Sequence, residues 1–193
     1  MIGIQILPTL GCNFQCIYCY KSSQSNTRFM SKEVMDAIVT YVKKTIKPTT
    51  KHLSVSWYGG EPLLAMKQIE YLSSSFIDIC NKNNINEYFS HITTNGYLLT
   101  RKNLNTLLKF KINNLQVTID GPEDIHNKRR VLKNGTGTYK RILTNLKYAI
   151  SRNINITFRI NRQVYGKRII LNLRVKESLN LGKYHYFAES EHG

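Results

Sequence analysis

Residues 2–20 read Ile2-Gly3-Ile4-Gln5-Ile6-Leu7-Pro8-Thr9-Leu10-Gly11-Cys12-Asn13-Phe14-Gln15-Cys16-Ile17-Tyr18-Cys19-Tyr20. Ile2, Ile4 and Ile6 alternate at period two, which predicts a strand. The glycine, asparagine and three cysteines that follow predict a loop at its carboxyl end. The cysteines are spaced CxxxCxxC, within eight residues. Thiolates are soft ligands that suit iron–sulfur clusters or zinc. Structural zinc takes four ligands, and no fourth Cys or His follows within the loop; His52 and Cys80 lie far away in the chain. Three protein thiolates on a 4Fe–4S cubane leave one iron open to a small molecule.

Outward from this loop, strand-like and helix-like segments alternate. Ser31 is placed to cap a helix to about Ile46, with Val34, Ile38, Tyr41, Val42 and Ile46 on one face and Pro48 beyond it. His52–Trp57 predicts a second strand, Met66–Asn81 a helix, Tyr88–Thr94 a third strand, and Thr100–Phe110 a helix. Leu115–Ile119 predicts a fourth strand, followed by a long polar loop, a helix over Tyr139–Arg152 and a fifth strand over Ile154–Ile160. Beyond that, Ile169, Leu171, Leu173 and Val175 alternate at period two, yet the strand–helix order predicts a helix there, with a sixth strand at Tyr184–Ala188. This order implies an α/β domain with a parallel sheet and right-handed crossovers. The pattern alone fits an open doubly wound sheet or part of a barrel, and six units are too few to close an eightfold barrel. Either way, functional groups gather at the carboxyl ends of the strands.

The other motifs fall at such ends. Strand two runs into Trp57-Tyr58-Gly59-Gly60-Glu61-Pro62, where glycines would let backbone approach a ligand and Glu61 would offer a carboxylate or backbone acceptor. Strand three ends in Thr93-Thr94-Asn95-Gly96. Strand four carries Thr118 and Asp120 at period two, then Gly121-Pro122 and His126-Asn127-Lys128-Arg129-Arg130. Lys133–Thr138 reads KNGTGT, and strand five carries Arg159-Ile160-Asn161. Cys80, among Phe76, Ile77 and Ile79, reads as a buried core residue.

With Tyr18 before the last cysteine, the CxxxCxΦC loop resembles the signature of the radical S-adenosylmethionine (radical SAM) superfamily. The later motifs resemble its SPASM, or anaerobic sulfatase-maturase-like, branch. The resemblance implies a partial parallel (β/α) barrel of about six βα units over residues 1–193, with motif matches over 2–161 and a last helix and strand over 162–193. It implies a 4Fe–4S cluster on Cys12, Cys16 and Cys19, with no catalytic residue assigned beyond these ligands. It also implies S-adenosylmethionine beside Tyr18, Gly59, Gly60, Glu61, Asn95, Thr118, Asp120, Arg130 and Arg159. In such enzymes one electron from the cluster cleaves the sulfonium, and the resulting 5′-deoxyadenosyl radical abstracts hydrogen from the substrate. The implied partners are a peptide or protein substrate and an electron donor such as flavodoxin or ferredoxin. The resemblance places the GGEP glycines at the methionyl ammonium, Thr118 and Arg130 at its carboxylate, Arg159 at the adenosyl pocket, and His126 in a structural or orienting role. It fades after Asn161, where Arg162-Gln163 stand in place of a Val-Asp pair, and no SPASM domain is expected.

The net charge of +16 is lopsided. Residues 1–100 hold nine Lys or Arg against six Asp or Glu, and residues 101–193 hold nineteen against six. No nucleic-acid motif accompanies this charge, so a solvated cationic face is expected rather than a nucleic-acid surface. No run of 18 apolar residues predicts a membrane span, and no basic leader precedes the first strand, so a cytoplasmic location is expected. Two other readings stay open at this point: a catalytically incompetent cluster-binding fragment and a zinc-bearing nucleic-acid binder.

Overall fold

Strand β1 (Ile2–Ile6) begins the chain, as its alternating isoleucines predict. The computed structural model describes residues 1–19, 27–152, 154–164 and 167–175. In order follow α1 (Lys32–Thr45), β2 (His52–Trp57), a 3-10 turn (Pro62–Ala65), α2 (Met66–Lys82), β3 (Glu87–Thr94), α3 (Arg101–Lys109) and β4 (Ile112–Thr118). Then come α4 (Glu123–Arg129), α5 (Tyr139–Ile150), β5 (Asn155–Val164) and β6 (Lys167–Val175). Two helix starts follow directly from sequence. The Ser31 hydroxyl accepts from Val34 N at 3.4 Å, and the Thr100 hydroxyl accepts from Asn103 N at 3.3 Å. The start of α5 is capped from a distance instead: Asn127 Oδ1 accepts from Thr138 N at 2.8 Å and Tyr139 N at 3.1 Å.

The sheet order is β1-β2-β3-β4-β5-β6, and the first five strands are parallel. A doubly wound sheet reverses its direction of growth at a switch point. This sheet never reverses. Right-handed crossovers that always step the same way put every helix on one face, which is the geometry of a barrel wall. The fold is therefore a partial parallel (β/α) barrel.

Two expectations are corrected. The polar stretch after β4 is not all loop, because Glu123–Arg129 forms α4, with Glu123 and Asp124 in its first turn and Lys128 and Arg129 in its last. These charges complement the helix dipole, a local signal that an apolar-periodicity search passes over. The helix expected over 162–176 is also replaced. Lys167–Val175 forms β6, antiparallel to β5, with Val164 opposite Lys167 and Ile156 opposite Val175. Here the period-two pattern wins over the strand–helix order, and the barrel wall has five parallel strands plus a hairpin strand. The sixth strand expected at Tyr184–Ala188 lies outside the described residues.

The core lies between the sheet and its helices. Leu53, Val55, Trp57, Ile92, Leu115, Val117, Ile156 and Phe158 point toward buried Ile69, Leu72, Phe76, Leu104, Leu107, Ile142 and Leu146. Cys80 is part of this core, as expected. The other sheet face carries Gln5, Ser54, Ser56, His91, Thr93, Gln116, Thr157 and Arg159, all exposed or half-buried. Trp57 closes the core near the site, with its indole Nε1 donating to Ser90 Oγ at 3.0 Å.

Trp57→Ala is expected to lower the unfolding free energy by about 3–5 kcal/mol, since it removes a large buried ring and leaves a cavity. Urea unfolding followed by far-UV circular dichroism measures this, because Trp57 is the chain's sole tryptophan. An unchanged unfolding midpoint would place Trp57 outside the core.

Candidate functional site

The cysteine loop is held on two sides by main chain. After α4 the chain runs back beside it: Gln15 N donates to Val131 O at 2.8 Å, Ile17 N to Arg129 O at 3.0 Å, and Lys133 N to Asn13 O at 3.3 Å. Phe14 and Leu132 form an antiparallel bridge there. On the other side stands the end of β2. Gly60 N donates to Thr9 O at 3.3 Å, and Glu61 N to Gly11 O at 2.8 Å. A Cβ on Gly60 would lie 2.1 Å from Gly11 O, and one on Gly59, whose φ is +136°, would lie 2.4 Å from Thr9 O. The two glycines are thus required by close packing of strand end against cysteine loop.

Of the two acceptors that Glu61 offers, the carboxylate is engaged within the protein. Its carboxylate is fully buried and faces protein. Oε1 accepts from Leu63 N at 3.0 Å and Thr94 Oγ1 at 2.7 Å, and Oε2 accepts from Asn95 N at 2.7 Å. Burial raises its pKa, against the pull of these hydrogen bonds. Only its main chain is left for a ligand. Asn95 is also engaged: Nδ2 donates to Asn13 Oδ1 at 2.8 Å and lies 4.0 Å from Cys12 Sγ, while Oδ1 accepts from Tyr97 N at 3.0 Å. Asn145 of α5 steadies this turn from behind, donating to Gly96 O and Tyr97 O at 2.9 Å each.

Across the loop, Tyr18 is the centre of a buried polar group. Its hydroxyl donates to Asp120 in a short hydrogen bond and accepts from Arg130 Nη1 at 2.5 Å and Asn161 Nδ2 at 3.1 Å. Asp120 Oδ1 also accepts from Asn161 N at 3.0 Å. The register explains the meeting. Thr118 on β4 pairs with Arg159 on β5, so Asp120 and Asn161 meet one pleat further on. Thr118 is buried at the end of β4. The Asp120 carboxylate is held by Tyr18 and Asn161. Asn161 was missed as a site residue, although its period-two relation to Arg159 put it on the same face.

Arg130 is only 7% exposed, and its guanidinium lies over the rings of Phe14 and Tyr18. Burial disfavours its charge, but Cys16, Tyr18 and Asp120 outweigh that and raise its pKa. Arg129 points elsewhere, donating to Asn161 O at 2.9 Å. A relay fixes the Arg130 backbone. Fully buried His126 accepts from Asp120 N at Nδ1 (3.3 Å), and its Nε2 lies 3.0 Å from Thr138 Oγ1, which donates to Arg130 O at 2.7 Å. With Nδ1 accepting, the network assigns the proton to Nε2. Burial, then the Arg130 charge, lowers the His126 pKa to about 4. His126 is a neutral strut, the orienting role the sequence suggests.

These residues suit a carboxylate-bearing ligand and a cluster. Burial is the main cause that raises the Cys12 pKa and lifts that of Cys16 to about 11. Thiols so placed ionise only when a strongly positive centre offsets the cost. Among the described residues, no three His, Cys, Asp or Glu side chains are gathered as one metal ion requires. Zinc draws its thiolates to about 2.3 Å from one point, whereas a cubane takes thiolates at separate corners, set farther apart. Arg130 Nε and Arg159 Nε are buried without a hydrogen-bond partner. Such orphaned cationic donors are costly unless an acceptor arrives.

Residues 6–161 match the family model of the radical SAM superfamily. The chain is 32% identical over 152 residues to a cysteine-type anaerobic sulfatase-maturating enzyme of Clostridium novyi, covering 74% of this chain and 40% of that protein. It is 26% identical to a radical SAM cyclopropyl synthase of Paramaledivibacter caminithermalis over 169 residues, 81% of this chain and 34% of that one. Among solved structures, native anSMEcpe with bound AdoMet aligns with a TM-score of 0.68 at 26% identity, over 81% of this chain and 42% of that chain. The same protein with AdoMet and Cp18Cys peptide gives 0.67 at 25%, again over 81% and 42%. The chain spans about two fifths of the length of the first of these relatives. No described helix is long and apolar enough to cross a membrane.

The His126 geometry has a pH signature. Below pH 6.5 the unfolded chain takes a proton that the folded chain refuses until about pH 4. Stability present above pH 6.5 is therefore lost as pH falls, by about 2 kcal/mol at pH 5. Urea unfolding at pH 7 and pH 5 should show His126→Gln losing that increment of pH dependence. An equal pH dependence in both proteins would place the histidine in contact with water.

Proposed function

The chain belongs to the radical SAM superfamily, and on that premise we propose that Cys12, Cys16 and Cys19 hold a 4Fe–4S cluster that binds S-adenosylmethionine for radical modification of a peptide or protein side chain. The observation that carries this reading is the pair of orphaned guanidinium donors, Arg130 Nε just past α4, in the segment that pairs with the cysteine loop, and Arg159 Nε on β5. When bound, the cluster supplies the single electron that reductive cleavage of the sulfonium requires. The protein's part is positioning. Arg130, oriented by Tyr18 from one side and by the His126–Thr138 relay from the other, offers a charge-assisted donor to the methionyl carboxylate. Thr118 adds its hydroxyl, and the main chain of Gly59, Gly60 and Glu61 adds carbonyl acceptors for the ammonium. Tyr18, Asp120 and Asn95 act behind these groups by fixing the loop. Arg159 faces the adenosyl end. Residues 1–193 act as the radical SAM core; a peptide substrate would approach from the polar sheet face, and an acidic carrier such as flavodoxin or ferredoxin would supply the electron.

Likeness to a sulfatase-maturating enzyme of Clostridium novyi supports the substrate class. Anaerobic reconstitution should give a brown protein with about four irons per chain, and dithionite with S-adenosylmethionine should release 5′-deoxyadenosine. Replacing all three cysteines by Ala should abolish both. Stoichiometric zinc without iron after anaerobic purification would overturn the reading; iron without 5′-deoxyadenosine would support a cluster-holding chain that does not turn over.

Arg130→Ala should weaken S-adenosylmethionine binding by roughly tenfold to a hundredfold, the loss of one charged contact worth about 1.5–3 kcal/mol. Cluster content should be retained, and Arg130→Lys should recover only part, because it has no planar fork. Arg129→Ala, whose guanidinium serves Asn161 O, should bind as wild type. Isothermal titration of the reconstituted proteins decides, and the reverse pattern would move the contact to Arg129.

A further inference from the structure

The three cysteines of the loop differ in what surrounds each sulfur. Two amide groups face Cys12. Phe14 N donates to Cys12 Sγ at 3.4 Å, and Asn95 Nδ2 stands 4.0 Å from the same atom. Among the described residues no hydrogen bond reaches the sulfur of Cys16 or Cys19. Cys16 has a charge beside it instead: burial raises its pKa, and the Arg130 guanidinium is the largest influence against that. At Cys12 burial raises the pKa, the Phe14 N–H lowers it, and the nearby Glu61 carboxylate raises it again. Cys12 is thus the thiol with a buried carboxylate close by and neutral donors aimed at its sulfur. The Asn95 amide is held in this orientation. The residue is buried, and its main-chain N donates to Glu61 Oε2 at 2.7 Å. Its Oδ1 accepts from Tyr97 N at 3.0 Å, which turns Nδ2 toward the cysteine loop. One of the two Nδ2 protons goes to Asn13 Oδ1 at 2.8 Å, and the second is left for Cys12.

We infer that Asn95 is a positioning residue that raises the reduction potential of the cluster by donating to the Cys12 sulfur. This role rests on the function proposed above, which puts a 4Fe–4S cluster on the loop. Reduction adds one electron, and the ligating sulfurs take part of the added negative charge; no bond is made or broken. A donor aimed at such a sulfur holds the reduced state more firmly than the oxidised one, and hydrogen bonds to the sulfurs help to set the potential. A thiol accepts weakly, whereas a thiolate draws a charge-assisted bond. Of the two donors, Phe14 N is main chain and survives any substitution short of proline. Asn95 is the side chain through which the sequence at this position sets the potential. Its loss makes the cluster harder to reduce.

The test is a reductive titration of the reconstituted whole chain with titanium(III) citrate, followed by electron paramagnetic resonance without S-adenosylmethionine. Asn95→Ala keeps the N–H that Glu61 holds and removes the amide. Asn95→Ser also restores an oxygen that can accept from Tyr97 N in a turn, but is too short to reach Cys12. Asn13→Ala removes the other partner of the Asn95 amide and leaves the Cys12 contact in place. Both Asn95 variants should be reduced with an equilibrium constant roughly threefold to tenfold smaller, a potential lower by about 30–60 mV at 59 mV per tenfold. Asn13→Ala should titrate as wild type. A wild-type potential in both Asn95 variants would overturn this role. So would recovery of the wild-type value in Asn95→Ser, or an equal fall in Asn13→Ala, because the residue would then only brace the turn or the loop. Loss of the cluster from both Asn95 variants would do the same. A wild-type chain that takes up no iron would instead sink the proposed function, and this role with it.

Discussion

A single buried carboxylate organises the site. Glu61 has no exposure to water; its carboxylate caps the following turn at Leu63 N and ties the end of β2 to the end of β3 at Thr94 and Asn95. Burying a carboxylate costs several kcal/mol unless hydrogen bonds take over from water, and three donors do so here, two of them main-chain N–H groups. The backbone of the same residue donates to Gly11 O, one residue before Cys12. The ends of β2 and β3 and the start of the cluster loop are therefore one unit. The neighbouring glycines belong to the same constraint, since any side chain at Gly60 would collide with Leu10 and Gly11 carbonyls. The GGE sequence is a clamp on the loop first, whatever its main chain also offers to a ligand.

The second half of the site is electrostatic. Tyr18 sits between Asp120 and Arg130, so the phenol passes part of the acceptor strength of the carboxylate to the guanidinium without letting the two close on each other. Arg130 keeps an unspent donor, Nε, in a place where water does not reach it. A direct bidentate pair with Asp120 would have used up the fork. The tyrosine spacing leaves Arg130 a cation with a donor to give. His126 holds the main chain beneath it and stays neutral, so it adds no competing positive charge.

Much of this was legible in the sequence, for physical reasons that also mark where legibility ends. β1, β2 and β4 follow from alternation at Ile2/Ile4/Ile6, Leu53/Val55/Trp57 and Leu115/Val117, because one sheet face is buried against helices. Ser31 and Thr100 announce helix starts because their caps are local. Asn127, which caps α5 from eleven residues away, carries no local signal. β6 was visible in the alternation of Ile169, Leu171, Leu173 and Val175, and was missed because topological habit was weighed above pattern. The GGE and Asn95 motifs lie at the strand ends the sequence implies, but their partners are not legible there. Nothing local tells that Glu61 turns inward to Thr94 or that Asn95 reaches Asn13. Those choices depend on how closely Gly59 and Gly60 let two backbones approach.

The two sheet faces divide the work that the proposed function requires. Parallel sheets are normally covered on both faces, and their strands then read as continuous apolar runs. Here β2 to β5 alternate, with Ser54, Ser56, His91, Thr93, Gln116 and Thr157 on the face away from the helices. That face is built to meet something polar. Ser56 and His91, 3.4 Å apart, and Thr93 beside Gln116 already pair across strands, so the polar groups are set in rows along the sheet rather than scattered. The outer side of the cysteine loop has the opposite character, with Phe29 and Leu64 exposed beside one lysine. A cluster held between them would have a polar, cation-bearing side toward the methionyl carboxylate and an apolar side toward solvent. Separation of this kind matters for a reaction that must admit an electron while keeping its reactive species from water. The cysteine loop is also the wall between the two sides, and main-chain hydrogen bonds hold it from both.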